Sequence, residues 1–322
     1  MPVITQSSYK PPLYLFNGHL QTIYPAIFRK VKGINYKREK IKTTDEDFLN
    51  LDWLVTGSEK LAIISHGLEG DSQRPYVKGL AKALNKEGYD VLAWNFRGCG
   101  GEMNHTLRFY HSGATEDLDY IISHALAQKK YEEIIITGFS LGGNLTLKYL
   151  GERGATLHHK IKRSVVFSVP LNLYTSCLQI SKPENFLYSS RFLRRLKQKV
   201  KSKSILLPDL INTNDFKNVK NLKDFDDFYT APLHGFKDAL AYYESCSAIN
   251  FLKNISIPTL IVNAKNDPFL SPDCYPESLL KDHPFVYFEA PDEGGHCGFA
   301  LNISNDYYWS ELRTLEFLNN GY

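Results

Sequence analysis

Ile134-Ile135-Ile136-Thr137-Gly138-Phe139-Ser140-Leu141-Gly142-Gly143 is the stretch that decides the reading of this chain. The branched apolar run predicts a buried strand, and Leu145, Leu147, Tyr149 and Leu150 beyond it predict a helix. Between them lies a turn crowded with glycines, spaced G-x-S-x-G around Ser140. Strand, sharp turn and helix are the setting of a nucleophile elbow. Glycines on both sides of the serine let the backbone bend tightly and the helix pack close. The hydroxyl is thereby pushed out at the top of a sheet, beside a helix N-terminus that favours negative charge.

Working outward, Leu61 to Ser65 predicts another buried strand, ending at His66-Gly67-Leu68-Glu69-Gly70. Two glycines at the carboxyl end of a strand allow backbone N–H groups to face a ligand, and Leu68 is expected to supply one. His66 reads as a brace for that loop, with a pocket-lining role as the alternative. A helix is expected at about 74–87 and a strand from Asp90 to Phe96. Arg97-Gly98-Cys99-Gly100-Gly101 follows, but Met103 stands where a dinucleotide-binding loop needs its third glycine. His111, within Phe109 to Gly113, is expected to satisfy its loop or to face the site. Glu116, Asp117 and Asp119 suit the start of a helix running to about 130. Beyond Ser140, strands are expected over Ser164 to Val169, Ile257 to Ala264 and Pro284 to Ala290, and a last helix at about 305–319.

Two regions break this α/β rhythm. Residues 1–33 predict an irregular arm interrupted by Pro2, Pro11, Pro12 and Pro25. Inside the arm, Asn17-Gly18-His19-Leu20-Gln21-Thr22 is unexpectedly polar, and His19 is a candidate packing or pocket-lining residue. Two strands, at about 34–44 and 48–55, come next. Residues 171–249 carry helical patterns without a buried strand, which reads as a helical cap inserted into a core made of 1–170 and 250–322. Within the cap, Arg191 to Lys203 places Phe192, Leu193, Leu196 and Val200 on one face and basic residues around the others. A solvated lid face is the expected role, with contact to anionic lipid as the alternative.

Ser140, Asp267 and His296 each follow a predicted strand, in the order serine, acid, histidine. Ser140 is the expected nucleophile, His296 the base and Asp267 the residue that orients it. The N–H groups of Leu68 and Leu141 are the expected oxyanion donors. Asp273, Asp292 and Glu293 lie in later turns, and His283 sits at the wrong end of its strand.

Composition narrows the field further. The 322 residues are 43% hydrophobic and 23% charged, ordinary for a globular protein with a sizeable core. A net charge of +3 does not suggest a nucleic-acid partner. Five cysteines, Cys99, Cys177, Cys246, Cys274 and Cys297, form no C-x-x-C pair, against a disulfide framework or a zinc site. No cofactor or metal is expected. With no signal-like or membrane-spanning stretch evident, the cytoplasm is the expected location.

The chain resembles the YheT-like α/β-hydrolases, the AB-hydrolase 4 family, over nearly its whole length. The matching pieces are Asn17 to Thr22, His66 to Gly70, Asn95 to Cys99, Tyr110 to Gly113, Gly138 to Gly143, Asn266 to Pro268 and Gly294 to His296. The resemblance implies an α/β-hydrolase fold, a mostly parallel twisted sheet flanked by helices, with a Ser140–Asp267–His296 triad. It also implies esterase or acylglycerol-lipase-type activity. The expected partner is a small ester with an acyl chain, favoured by Phe186, Leu187, Tyr188 and Phe192 in the cap. An acyltransferase or thioesterase using the same residues is one alternative, and a hydrolase-fold binding protein without catalysis is another.

Overall fold

Leu61 and Ile63 enter one apolar core while Ala62 and Ile64 enter a second, because successive side chains of a strand leave its opposite faces. A strand apolar on both sides needs cover on both, and helices supply it. The computed structural model describes residues 2–302 and 306–320.

Nine strands form one sheet: β1 (Val3–Ile4), β2 (Lys37–Lys42), β3 (Phe48–Leu54), β4 (Lys60–Ser65), β5 (Asp90–Asn95), β6 (Glu133–Phe139), β7 (Ile161–Phe167), β8 (Thr259–Val262) and β9 (Val286–Glu289). Their spatial order is β1-β9-β8-β7-β6-β4-β5-β3-β2. β3 runs antiparallel to both β2 and β5, and the other neighbours pair in parallel. The chain moves from β4 to one side for β5, then returns to the other side of β4 for β6. This reversal leaves a crevice at the carboxyl ends of the strands, where open α/β sheets bind ligands.

Six of the helices matter for the site: α1 (Gly18–Phe28), α2 (Pro75–Lys86), α3 (Thr115–Ala127), α4 (Leu141–Arg153), α5 (Leu173–Ile180) and α6 (Phe186–Leu206). α3 and α4 cover one face of the sheet through Leu118, Ile121, Leu145 and Leu150. α2 and the terminal helix Trp309–Asn319 cover the other through Val77, Leu80, Leu84 and Phe317. Between β7 and β8 the described residues form helices and turns but no strand. Leu173, Cys177, Ile180, Tyr242 and Tyr243 form a separate apolar cluster there.

The N-terminal arm departs from expectation. It is irregular only in part: β1 pairs beside β9, and α1 runs for 11 residues with Pro25 inside it, while residues 5–17 and 29–33 form neither helix nor strand. Proline removes one hydrogen bond from a helix, but the Asn17 side chain caps the first turn by accepting the Leu20 N–H at 2.9 Å. Burial of Gln21, Thr22 and Pro25 against the body supplies the rest. Some boundaries also move. β2 is shorter than expected, and β7 ends at Phe167 because Ser168 turns into the left-handed region at φ 53°. The expected start of the last helix, residue 305, lies outside the described residues.

Candidate active site

Ser140 sits between β6 and α4 with φ 54° and ψ −120°. A non-glycine residue held there stores about 1–3 kcal/mol of strain, which surrounding contacts must offset. They are visible: the Ser140 N–H donates to Phe167 O at 2.9 Å, and its carbonyl accepts the Asn144 N–H at 3.0 Å. Close packing also explains the flanking glycines. A Cβ on Gly138 would come 2.4 Å from Gly142 O, and one on Gly142 equally close to His66 O.

Asp267 lies in the turn after β8 and His296 in the loop after β9. His296 Nδ1 is 2.8 Å from Asp267 Oδ2 and 3.1 Å from Oδ1. The carboxylate is fully buried, and its Oδ1 also accepts the Phe269 N–H at 2.9 Å. Phe269 packs against the imidazole with ring centroids 4.2 Å apart. Burial alone would lower the His296 pKa. The adjacent Asp267 carboxylate, with Cys297 beside it, outweighs burial and holds the pKa above its ordinary value.

Three backbone N–H groups brace the loop after β4. Gly67 N–H donates to Tyr76 Oη at 3.0 Å, Glu69 N–H to Tyr110 Oη at 2.9 Å and Gly70 N–H to Gly67 O at 3.0 Å. Leu68 N–H has no acceptor among the described residues. Leu141, the first residue of α4, has an N–H at the helix start, where intrahelical acceptors run out. Both residues border the same cavity as Ser140 and His296.

The three other candidate histidines separate. His66 lies behind the loop and borders neither of the two cavities that contain Ser140. Its Nε2 accepts the Phe96 N–H at 3.1 Å, so Nδ1 carries the proton and donates to Gly67 O at 2.8 Å. Burial pushes its pKa down to about 3. His19 is hydrogen-bonded to Tyr188 Oη at 3.1 Å and borders a separate cleft beside Asn266 and Pro268. His111 does line the inner cavity, and its Nδ1 accepts the Gly113 N–H at 3.2 Å.

Residues 62–302 match the family model described as alpha/beta hydrolase fold. The chain is 33% identical to YheT of Escherichia coli (strain K12), a protein named provisionally as an esterase, over 94% of this chain and 90% of that one. The chain belongs to the α/β-hydrolase family. The mouse phospholipase ABHD3 is 29% identical, with 94% of this chain and 75% of that one covered. Among solved structures, the Pyrococcus furiosus esterase Pf2001 superposes with a TM-score of 0.56 at 19% identity, covering 90% of this chain and 97% of that one.

As in α/β-hydrolases at large, the serine stands at the carboxyl edge of the sheet, and here it borders two cavities. The inner one is bordered mainly by apolar side chains, among them Leu173, Leu196, Val200, Leu222 and Phe225. The outer one lies between α1, α2 and α6. Ser140, His296, Leu68, Phe192 and Phe269 border both.

Several positioning residues escape a reading of the sequence. Thr22 Oγ1 accepts the His296 N–H at 2.9 Å, and Gln21 Oε1 accepts Gly294 N–H at 2.7 Å and Asn266 Nδ2 at 3.0 Å. Asn263 joins Val169 to Cys274 through its buried amide. The polar run around His19 carried the signal for Gln21 and Thr22. Two cap lysines expected on a solvated face turn inward instead. Lys199 pairs with Glu69 at 2.8 Å, and buried Lys203 donates to Asn104 O at 2.9 Å and Thr106 O at 2.6 Å. Long aliphatic stems let a lysine cross an apolar face before reaching its partner.

Proposed function

We propose that this carboxylic ester hydrolase works as a serine hydrolase through Ser140, His296 and Asp267, by way of an acyl-enzyme. One observation carries the reading: a serine held at φ 54° at the strand end borders the same cavity as a histidine paired with a buried carboxylate. Ser140 Oγ forms the bond to the acyl carbon while its proton passes to His296 Nε2, the ring nitrogen that Asp267 does not engage. The carbonyl electron pair moves onto oxygen, where the N–H groups of Leu68 and Leu141 receive it. Collapse breaks the ester C–O bond, and His296 returns the proton to the departing alcohol. Water then repeats the sequence on the acyl-serine, with His296 as base, releasing the carboxylic acid and restoring Ser140.

Residues 171–249 act as the cap that shapes the substrate's seat, since α5 and α6 provide Leu173, Ile180, Phe192, Leu196 and Val200 to the inner cavity. The apolar lining there suits an acyl chain. The five cysteines are all free thiols, which suits the reducing cytoplasm. No helix among the described residues is long and apolar enough to cross a membrane.

A fluorophosphonate probe tests the reading directly. Wild-type protein is expected to label covalently, and Ser140→Ala to lose both labelling and p-nitrophenyl ester hydrolysis. Labelling that persists in folded Ser140→Ala would place the nucleophile elsewhere.

A further inference from the structure

Four arginines border the outer cavity, and they are not equivalent. Arg29 is neutralised: its guanidinium meets Glu311 at 2.6 Å and 2.8 Å and lies 3.7 Å above the Tyr308 ring. Arg74 and Arg195 instead donate to one and the same carbonyl, Glu69 O, at 2.7 Å and 3.1 Å. Two cations therefore converge on a single neutral oxygen. The Glu69 carboxylate does not balance them, because it is held by Lys199 and by Tyr110 Oη at 2.7 Å. Asp71 comes only to 4.0 Å from Arg74 Nε.

Arg191 stands one helical turn before Arg195 on α6, and among the described residues it has no ion-pair partner. Like charges four apart on a helix repel, and partial burial adds a desolvation cost. Burial first, then Arg195 and Arg74, push the Arg191 pKa down. Three cations thus border a cavity that Ser140 also borders, with a shortage of anions.

We propose that Arg191, Arg195 and Arg74 form an anion subsite for a phosphate carried on the leaving-group part of the ester. This placement rests on the triad reading, which assigns the acyl chain to the inner cavity and leaves the outer one to the departing alcohol or thiol. Guanidinium forks match phosphate oxygens in pairs, and each charged hydrogen bond is stronger than a neutral one. The phosphate has two chemical sources: a glycerol phosphate headgroup, or the phosphates of a nucleotide-borne acyl thioester.

The test compares three substrates with one medium-length acyl chain: a 1-acylglycerol, its 3-phosphate and the acyl-coenzyme A. Wild type is expected to favour at least one phosphate-bearing substrate over the neutral one by about tenfold in kcat/KM. Arg191→Gln should reduce that ratio by about tenfold, chiefly through KM, Arg191→Lys should recover part of it, and added salt should shrink it. The phosphate substrate with the larger ratio identifies the source. Arg191 is the residue to change because Arg74 and Arg195 also hold the carbonyl next to Leu68.

A second arm does not depend on turnover. Ser140→Ala protein is titrated calorimetrically with the non-cleavable 1-alkylglycerol, its 3-phosphate and the S-alkyl-coenzyme A, with and without Arg191→Gln. Tighter binding of either phosphate-bearing ligand, lost with Arg191, upholds the subsite even if Ser140 is not the nucleophile. Binding of neither phosphate-bearing ligand tighter than the neutral one, or a phosphate preference untouched by Arg191→Gln, overturns it.

Discussion

Thr22 Oγ1 accepts the backbone N–H of His296 at 2.9 Å, so a helix near the start of the chain holds the histidine loop near its end. The same hydroxyl donates to Gly18 O at 2.6 Å, which fixes its lone pairs toward the loop. Thr22→Val keeps the shape and removes the acceptor. A buried donor left unpaired costs about 1–3 kcal/mol. We expect kcat to fall about tenfold with KM less affected, while Thr22→Ser retains most of the rate. A variant that only melts earlier, with kcat intact, would reduce Thr22 to a packing residue.

His296 must be neutral to accept the Ser140 proton. Its pKa lies above the ordinary 6.5 because the charge of Asp267 outweighs burial. The rate kcat/KM is therefore expected to climb with pH through a midpoint above 6.5, as the imidazolium loses its proton. Asp267→Asn removes the raising charge, so the midpoint should move down. The maximal rate should drop by about 10⁴, because the imidazole loses its oriented tautomer. A pH–rate profile of both proteins reads both effects, and an unmoved midpoint would count against the pairing.

His66 makes the opposite contribution to stability. Its folded pKa, pushed down to about 3, lies below the unfolded value near 6.5. Below pH 6.5 the unfolded chain binds a proton that the folded chain refuses. Stability is then fully present above about pH 6.5 and lost as pH falls toward 3, by up to about 1.4 kcal/mol per pH unit. Urea midpoints at pH 7.5 and 5.5 should show this slope. His66→Gln should flatten it, leaving the share of His111, whose pKa burial also lowers. An unchanged slope in the variant would rule His66 out as the source.

The inner cavity should select by chain length. Burying each methylene is worth about 0.8 kcal/mol, or roughly fourfold in kcat/KM, until the space is filled. Leu196→Trp narrows the cavity between Phe192 and Val200. The preferred acyl chain in a p-nitrophenyl ester series should shorten, with fluorophosphonate labelling of Ser140 retained. An unaltered chain-length profile would move the acyl chain out of this cavity.

Much of the architecture is legible along the chain, because it depends on local pattern. Ile134 to Ile136, Leu61 to Ile64 and Leu260 to Val262 are apolar on both faces, and only a sheet covered by helices can bury such runs. The spacing around Ser140 announces a tight turn, because glycine alone fits where Gly138 and Gly142 touch backbone. The meeting of His296 with Asp267 is suggested by chain order, but their 2.8 Å separation depends on the lengths and twist of β8 and β9.

Other features exist only in three dimensions. Pro25 argues for a broken arm, yet α1 forms because burial against the body outweighs one lost hydrogen bond. His66 and His19 look as eligible for a pocket as His111, and only the path of the loops sends the first behind the sheet edge and the second to another cleft. The basic run of α6 reads as one solvated face. In the fold Lys199 and Lys203 turn inward to distant acceptors, while Arg191 and Arg195 border a cavity that Ser140 also borders. Sequence by itself determined the sheet, the elbow and the order of the candidate triad, since each follows from hydrophobic period and backbone sterics within a few residues. Tertiary structure alone decided the Thr22 and Gln21 contacts, the two cavities and the cluster of arginines, because each joins segments that no local rule brings together.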